Sequence, residues 1–152
     1  MVDGRRARTV GLDFGGARCG VAIDDELGKM AHARPNFAAK DRKLLLESLV
    51  AFAAEEHAAR FVVGLPLEMS GREGRAAERV RDFAQQLADA SGLDVVLWDE
   101  RLSTVEAARA LRASGHDARA QKSRIDGAAA VAILQSWLDG RRLARQRRSE
   151  PP

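Results

Sequence analysis

The chain has 152 residues, 45% of them apolar, enough for one packed core and too few for two ordinary domains. No apolar run is long enough to span a bilayer, and Met1 to Arg6 lacks the apolar stretch of a secretion signal, so the cytoplasm is the expected location and no membrane partner is expected. The formal charge of +3 conceals an uneven distribution: residues 141 to 152 hold five arginines and one glutamate, and without them 20 basic and 21 acidic residues remain.

Arg8 to Asp13 and Cys19 to Asp24 read as strands, separated by the hairpin turn Phe14-Gly15-Gly16-Ala17-Arg18. A third strand is expected over Met30 to Phe37. Leu45, Leu49 and Phe52 recur at helical spacing within 41–58, as do Val80, Phe83, Ala84 and Leu87 within 75–90. Phe61 to Leu65 and Val95 to Trp98 are continuous apolar runs, the pattern of strands buried on both faces, and the helix between them makes a parallel βαβ unit. Helices over about 104–114 and 124–139 follow. Three hairpin-type strands and then αβαβα is the order of a ribonuclease H-like α/β domain, a mixed five-stranded sheet flanked by helices. A single domain over 1–140 is expected, with 141–152 an Arg-rich, unstructured extension whose sharper reading is salt-sensitive attraction to nucleic acid.

Asp13 and Glu100 fall at the carboxyl ends of two of these strands, where an open α/β sheet gathers its chemistry. Asp126 opens an apolar helix and shares a face with Ala130, Ile133 and Trp137, an expensive place for an unpaired carboxylate. Three such acids suit a hard divalent cation, Mg²⁺ or Mn²⁺, that keeps positions for water and a substrate phosphate. Each has a plainer reading. Asp13 opens a turn; Asp99 competes with Glu100, because one residue of register decides which faces the site; and Ser123-Arg124-Ile125-Asp126 also reads as a helix cap. Ser103-Thr104-Val105-Glu106 is a capping box, read as structural.

The loop Gly64 to Arg75 feeds a helix N-terminus with Arg72, Arg75 and Arg79 nearby, which suits a phosphate or is an ordinary surface turn. A basic segment over 112–124 includes His116, Arg119, Lys122 and Arg124 and could track a nucleic-acid backbone. His32, His57 and His116 have no zinc spacing. Cys19 reads as a small buried hydrophobe, and Trp98 and Trp137 as core residues rather than base-stacking platforms.

Four blocks in order carry a family likeness: Gly-Leu-Asp-Phe-Gly-Gly-Ala-Arg-Cys-Gly-Val-Ala (11–22), Val-Val-Gly-Leu-Pro-Leu-Glu-Met-Ser-Gly (62–71), Asp-Glu-Arg-Leu-Ser-Thr-Val-Glu-Ala (99–107) and Lys-Ser-Arg-Ile-Asp-Gly-Ala-Ala-Ala-Val-Ala-Ile-Leu-Gln (122–135). From about Thr9 to Asp139 the chain resembles the YqgF/RuvX family of ribonuclease H-like proteins, described as Holliday junction resolvases and as pre-16S rRNA nucleases. The resemblance implies that Asp13, Glu100 and Asp126 form an acidic metal-binding triad, and that the chain is a bacterial cytoplasmic nuclease of ribosome biogenesis with a two-metal mechanism and precursor rRNA or branched DNA as its partner. The candidate substrate contacts are Gly15, Gly16, Arg18, Gly71, Arg72, Arg101, Lys122 and Arg124. The chain departs from the family pattern at Phe14 (usually Pro), Gly16 (usually Thr or Ser) and Glu68 (usually Asn). A non-catalytic ribosome-assembly protein is the competing class. An actin-like or sugar-kinase ATPase, whose first hairpin is related, would need a second lobe.

Overall fold

The computed structural model describes residues 7–113 and 127–149. Strands β1 (Arg8–Phe14), β2 (Arg18–Asp24) and β3 (Ala31–Ala38) form the expected antiparallel meander. Helix α1 (Arg42–Glu55) leads to β4 (Ala58–Leu65), which lies parallel to β1. Helix α2 (Arg75–Ser91) returns the chain to β5 (Asp94–Asp99), parallel to β4. A short 3-10 turn (Glu100–Leu102), α3 (Val105–Ala113) and α4 (Ala128–Ser149) follow. The sheet order is β3-β2-β1-β4-β5, so the carboxyl ends of β1, β4 and β5 share one edge.

Local chemistry accounts for the boundaries. Asp41 caps α1, its Oδ1 accepting from the Leu44 amide at 3.1 Å. Gly92, left-handed at φ 68°, ends α2. Alternation in the strands sends Val10, Leu12, Phe61 and Val63 to one face, where they pack with Leu45, Leu49, Phe83 and Leu87 of α1 and α2. Ala22 and Val62 face the other way, against Ala130, Ile133, Leu134 and Leu138 of α4. Close docking of α4 depends on Gly11: a Cβ there would stand 2.5 Å from Leu134 Cβ.

Two expectations are corrected. The run Val95 to Trp98 packs on both faces, Val95 and Leu97 on one and Val96 and Trp98 on the other, but less deeply than expected: β5 is the sheet's edge and its apolar residues are half-buried. An apolar run suits this edge because α2 and α4 both reach it. Trp98 lies along α4, its Nε1 donating to Ser136 Oγ at 2.9 Å and its ring against Gly140. The second correction concerns the C-terminus, where helix continues through the Arg-rich residues to Ser149. Arginine is a good helix former and favours the negative end of the helix dipole, so a segment whose composition reads as a tail instead prolongs α4. Arg141 stacks over Trp137 at 5.2 Å and Arg142 binds Asp139 at 2.8 Å, anchoring the first extra turn. Beyond it the described residues are exposed except for half-buried Ala144. Removing residues 143–152 is therefore expected to change stability by about 0.5 kcal/mol or less, whereas Arg141→Ala should lower the melting temperature measurably.

Candidate active site

Asp13 is the penultimate residue of β1 and shares the α4 face of the sheet with Gly11, being paired with Gly20 on β2. Glu100 follows β5 at the same edge, and the 3-10 turn that begins there buries its side chain, 9% exposed, while Asp13 is 17% exposed. Gly64 of β4, the strand between them, makes room for Glu100: a Cβ would lie 2.8 Å from Glu100 Oε1 and 2.5 Å from Ile133 Cδ1. Gly64→Ala should thus cost about 1–3 kcal/mol by overpacking and push the carboxylate out of place. Urea unfolding and a cleavage assay check both halves; a stable, fully active variant would show that Glu100 does not depend on this contact.

Arg109 of α3 ties the two acids together. Its Nη2 donates to Asp13 Oδ1 at 2.7 Å and to Glu100 Oε1 at 2.9 Å, and its Nη1 donates to Glu100 Oε2 at 2.9 Å. Partial burial disfavours the guanidinium charge, but the bonds and charges of Glu100 and Asp13 outweigh it and raise its pKa above the ordinary arginine value. Of Asp99 and Glu100, Glu100 is the one that meets Asp13 at Arg109. Asp99 turns away to accept from the Arg101 amide at 2.9 Å and to pair with its guanidinium at 2.7 Å, which holds the Asp99 carboxyl below its usual range.

Two carboxylates that reach one nitrogen at 2.7 and 2.9 Å form a place where a single cation bridges both, and all-oxygen donors suit a hard ion such as Mg²⁺ or Mn²⁺. The donor set therefore fits the divalent metal expected from the sequence. Among the described residues no group of three or more His, Cys, Asp or Glu side chains comes together. Asp126, Lys122 and Arg124 lie outside the described residues.

The remaining candidates divide by position. Gly15 and Gly16 line a cleft that has Glu100 and Arg109 in its wall. Arg18 is exposed beside Asn36 and Lys40 in a neighbouring hollow. Gly71, left-handed at φ 87°, lies under the Arg101 guanidinium, which also reaches the Met69 carbonyl at 3.4 Å. Arg72 is exposed on the turn closed by Leu67 and Glu73. Ser103 Oγ accepts from the amide of Val105, the first residue of α3, at 3.2 Å and donates to the Glu100 carbonyl at 2.8 Å, so it braces the turn that carries Glu100. Burial first, and then the Asp13 charge, push the Cys19 thiol far above its ordinary range, consistent with an inert core residue. Arg109 had no motif to announce it. Its signal was its place one turn after Val105, a buried residue on the same face of α3.

A mixed sheet in this order, with helices on both faces and acids at the carboxyl edge of β1 and β5, defines a ribonuclease H-like fold of the resolvase type. Thermus thermophilus RuvC, solved with a Holliday junction substrate, superposes with a TM-score of 0.56 at 14% identity over 90% of this chain and 96% of its own. The fowlpox virus Holliday junction resolvase gives 0.50 at 11% identity, over 88% and 99% of the two chains. Residues 7–140 match the model of the family described as "RuvX: Holliday junction resolvase", and the chain belongs to that family. A relative in Anaeromyxobacter sp. (strain Fw109-5), named "Putative pre-16S rRNA nuclease", is 46% identical over 134 residues, 88% of this chain and 98% of its own. A relative of the same name in Myxococcus xanthus is 44% identical over 89% of each chain. No helix among the described residues is long and apolar enough to cross a membrane.

Proposed function

We propose that this protein is a divalent-metal-dependent nuclease that hydrolyses phosphodiester bonds, with maturation of the 5′ end of precursor 16S rRNA as its task. The observation that carries the chemistry is the convergence of Asp13 and Glu100 on one guanidinium nitrogen at the carboxyl edge of the sheet. Family membership and the names of relatives 44–46% identical support the nuclease class and the rRNA substrate.

Asp13 and Glu100 would hold Mg²⁺ or Mn²⁺, with Asp126 as the third acid by family resemblance. When bound, the metal supplies activation of water and stabilisation of charge at the departing oxygen, a two-ion arrangement being the form the family resemblance implies. Glu100 is preset for this role by burial beside Gly64 and by its bonds to Arg109, so little side-chain freedom is left to lose on binding. Arg109 offsets one of the two negative charges and keeps the acids close in the absence of another cation. Cys19 is fully buried in the core, which argues against a part as a nucleophile.

The test is cleavage of a precursor 16S rRNA fragment and a four-way DNA junction, side by side, with Mg²⁺ or Mn²⁺ and with EDTA. Metal-dependent cutting of the RNA alone is the expected result. Cutting of the junction alone would make the protein a DNA resolvase, the activity in its family's description. Binding without cutting of either would make it a non-catalytic assembly factor.

A further inference from the structure

The cleft beside the carboxylates crosses the carboxyl edge of the sheet, from Glu100 and Arg109 to the side on which α1 and α2 begin. Besides Arg109, three further cations line it. Lys40 lies in the β3–α1 connection, Arg42 is the first residue of α1, and Arg79 lies in the first turns of α2. Among the described residues none of the three has a carboxylate partner within ion-pair distance. Lys40 and Arg79 are exposed, whereas Arg42 is fixed in place. Its guanidinium stacks 4.8 Å from the Phe14 ring, which lies face to face with Phe83 at 4.2 Å, and Nη1 donates to Gln86 Oε1 at 2.9 Å.

A cation seated on an aromatic pair and tied to Gln86 can still offer its other donors to an anion at low entropic cost. Gly16 has no heavy atom within 4 Å of where a Cβ would be, and the turn leaves the mouth of the cleft open. The positive ends of α1 and α2 are already answered by the Asp41 cap and by Glu68 beside Gly74, so the cationic side chains carry the attraction for an anion.

We infer that this cleft binds the phosphodiester backbone of the substrate strand next to the bond that is cut, with Arg42 as its fixed anchor and Lys40 and Arg79 as its exposed walls. The inference rests on the carboxylate pair being the cleavage site, because continuity with Glu100 is what makes the bound phosphate a neighbour of the scissile one. It assigns a shared chemistry to RNA and DNA, a backbone phosphate recognised without regard to base.

The test measures binding in EDTA, where no cutting occurs, of single-stranded RNA and DNA oligonucleotides of one sequence across a range of salt. Lys40→Gln with Arg79→Gln alters only exposed side chains, so folding should survive, with the melting temperature as the check. Loss of two phosphate contacts should reduce the log–log salt slope by about 1.4 for a single strand, and Arg42→Gln on top of them by about 0.7 more. Oligonucleotides carrying one neutral methylphosphonate linkage locate the contact. In the wild type one or two adjacent positions should weaken binding several-fold, and in the multiple variant those positions should become indistinguishable from the rest. Dependence in both RNA and DNA assigns the cleft to the backbone, and dependence in one alone assigns it to that polymer. An unchanged slope, or a methylphosphonate profile that is flat in the wild type or the same in the variant, would overturn the inference. Failure of the wild type to cleave with metal, beside a reduced slope in the variant, would instead remove the nuclease proposal and leave the cleft as a phosphate site.

Discussion

Asp13→Asn should leave a folded protein whose metal-dependent cleavage is reduced by at least about a hundredfold, since even partners one shell removed from a metal are worth 10–100-fold. The change keeps the side chain's shape and removes its charge. In the absence of metal the amide oxygen can still accept from Arg109 Nη2, now at 2.7 Å from Asp13 Oδ1, so only the charged part of that bond is lost. Stability without metal should therefore fall by no more than about 1 kcal/mol. The rise in melting temperature on adding Mg²⁺ should shrink, because ligand-linked stabilisation follows affinity. Asp126→Asn is expected to behave in the same way if Asp126 is a ligand. As a helix cap it should lose about 0.5–1 kcal/mol and keep its activity. A folded Asp13→Asn protein that cleaves normally would remove Asp13 from the chemistry.

Much of this site could be read along the chain because buried parallel strands announce themselves. Phe61 to Leu65 and the run through Trp98 are apolar and bounded by turns, and the acids near the carboxyl ends of β1 and β5 stand out against such runs. That logic located Asp13 and narrowed the second acid to Asp99 or Glu100. It went no further, because the 3-10 turn at Glu100 sets which side chain swings inward, and its direction depends on the Ser103 brace and on room left by Gly64, a residue 36 positions earlier. Arg109 and the Lys40–Arg42 pair were missed for a related reason. Each is an unremarkable surface cation in its own segment and acquires a role only when β3, α1 and α3 converge at one edge. The helical C-terminus misled in the opposite sense, since composition suggests solvation there while Trp137 and Asp139 supply local anchors for Arg141 and Arg142.

Replacing Arg109 by glutamine should have opposite effects on the metal-free and the metal-bound protein. Without metal, Asp13 and Glu100 lose their shared counter-ion while staying largely buried, at 17% and 9% exposure. Two neighbouring, partly buried carboxylates then repel each other. The Arg109 side chain is itself 42% exposed, so solvent screens part of the interaction and the loss should be about 1–2 kcal/mol rather than the larger figure for a fully buried pair. With metal the sign reverses. The guanidinium uses the same carboxylate oxygens that a divalent ion needs, so wild-type binding must first displace Arg109, and the variant is spared that step. Added Mg²⁺ should raise the melting temperature of Arg109→Gln more than that of the wild type, and half-saturation should occur at a lower concentration. Arg109→Lys should fall between the two, because an ammonium keeps the charge but cannot span three oxygens in one plane. Thermal unfolding across a Mg²⁺ titration checks this without reference to cleavage. Equal shifts in wild type and variant would mean that the metal does not compete with Arg109 for Asp13 and Glu100, and the bridging position would then belong to the arginine alone.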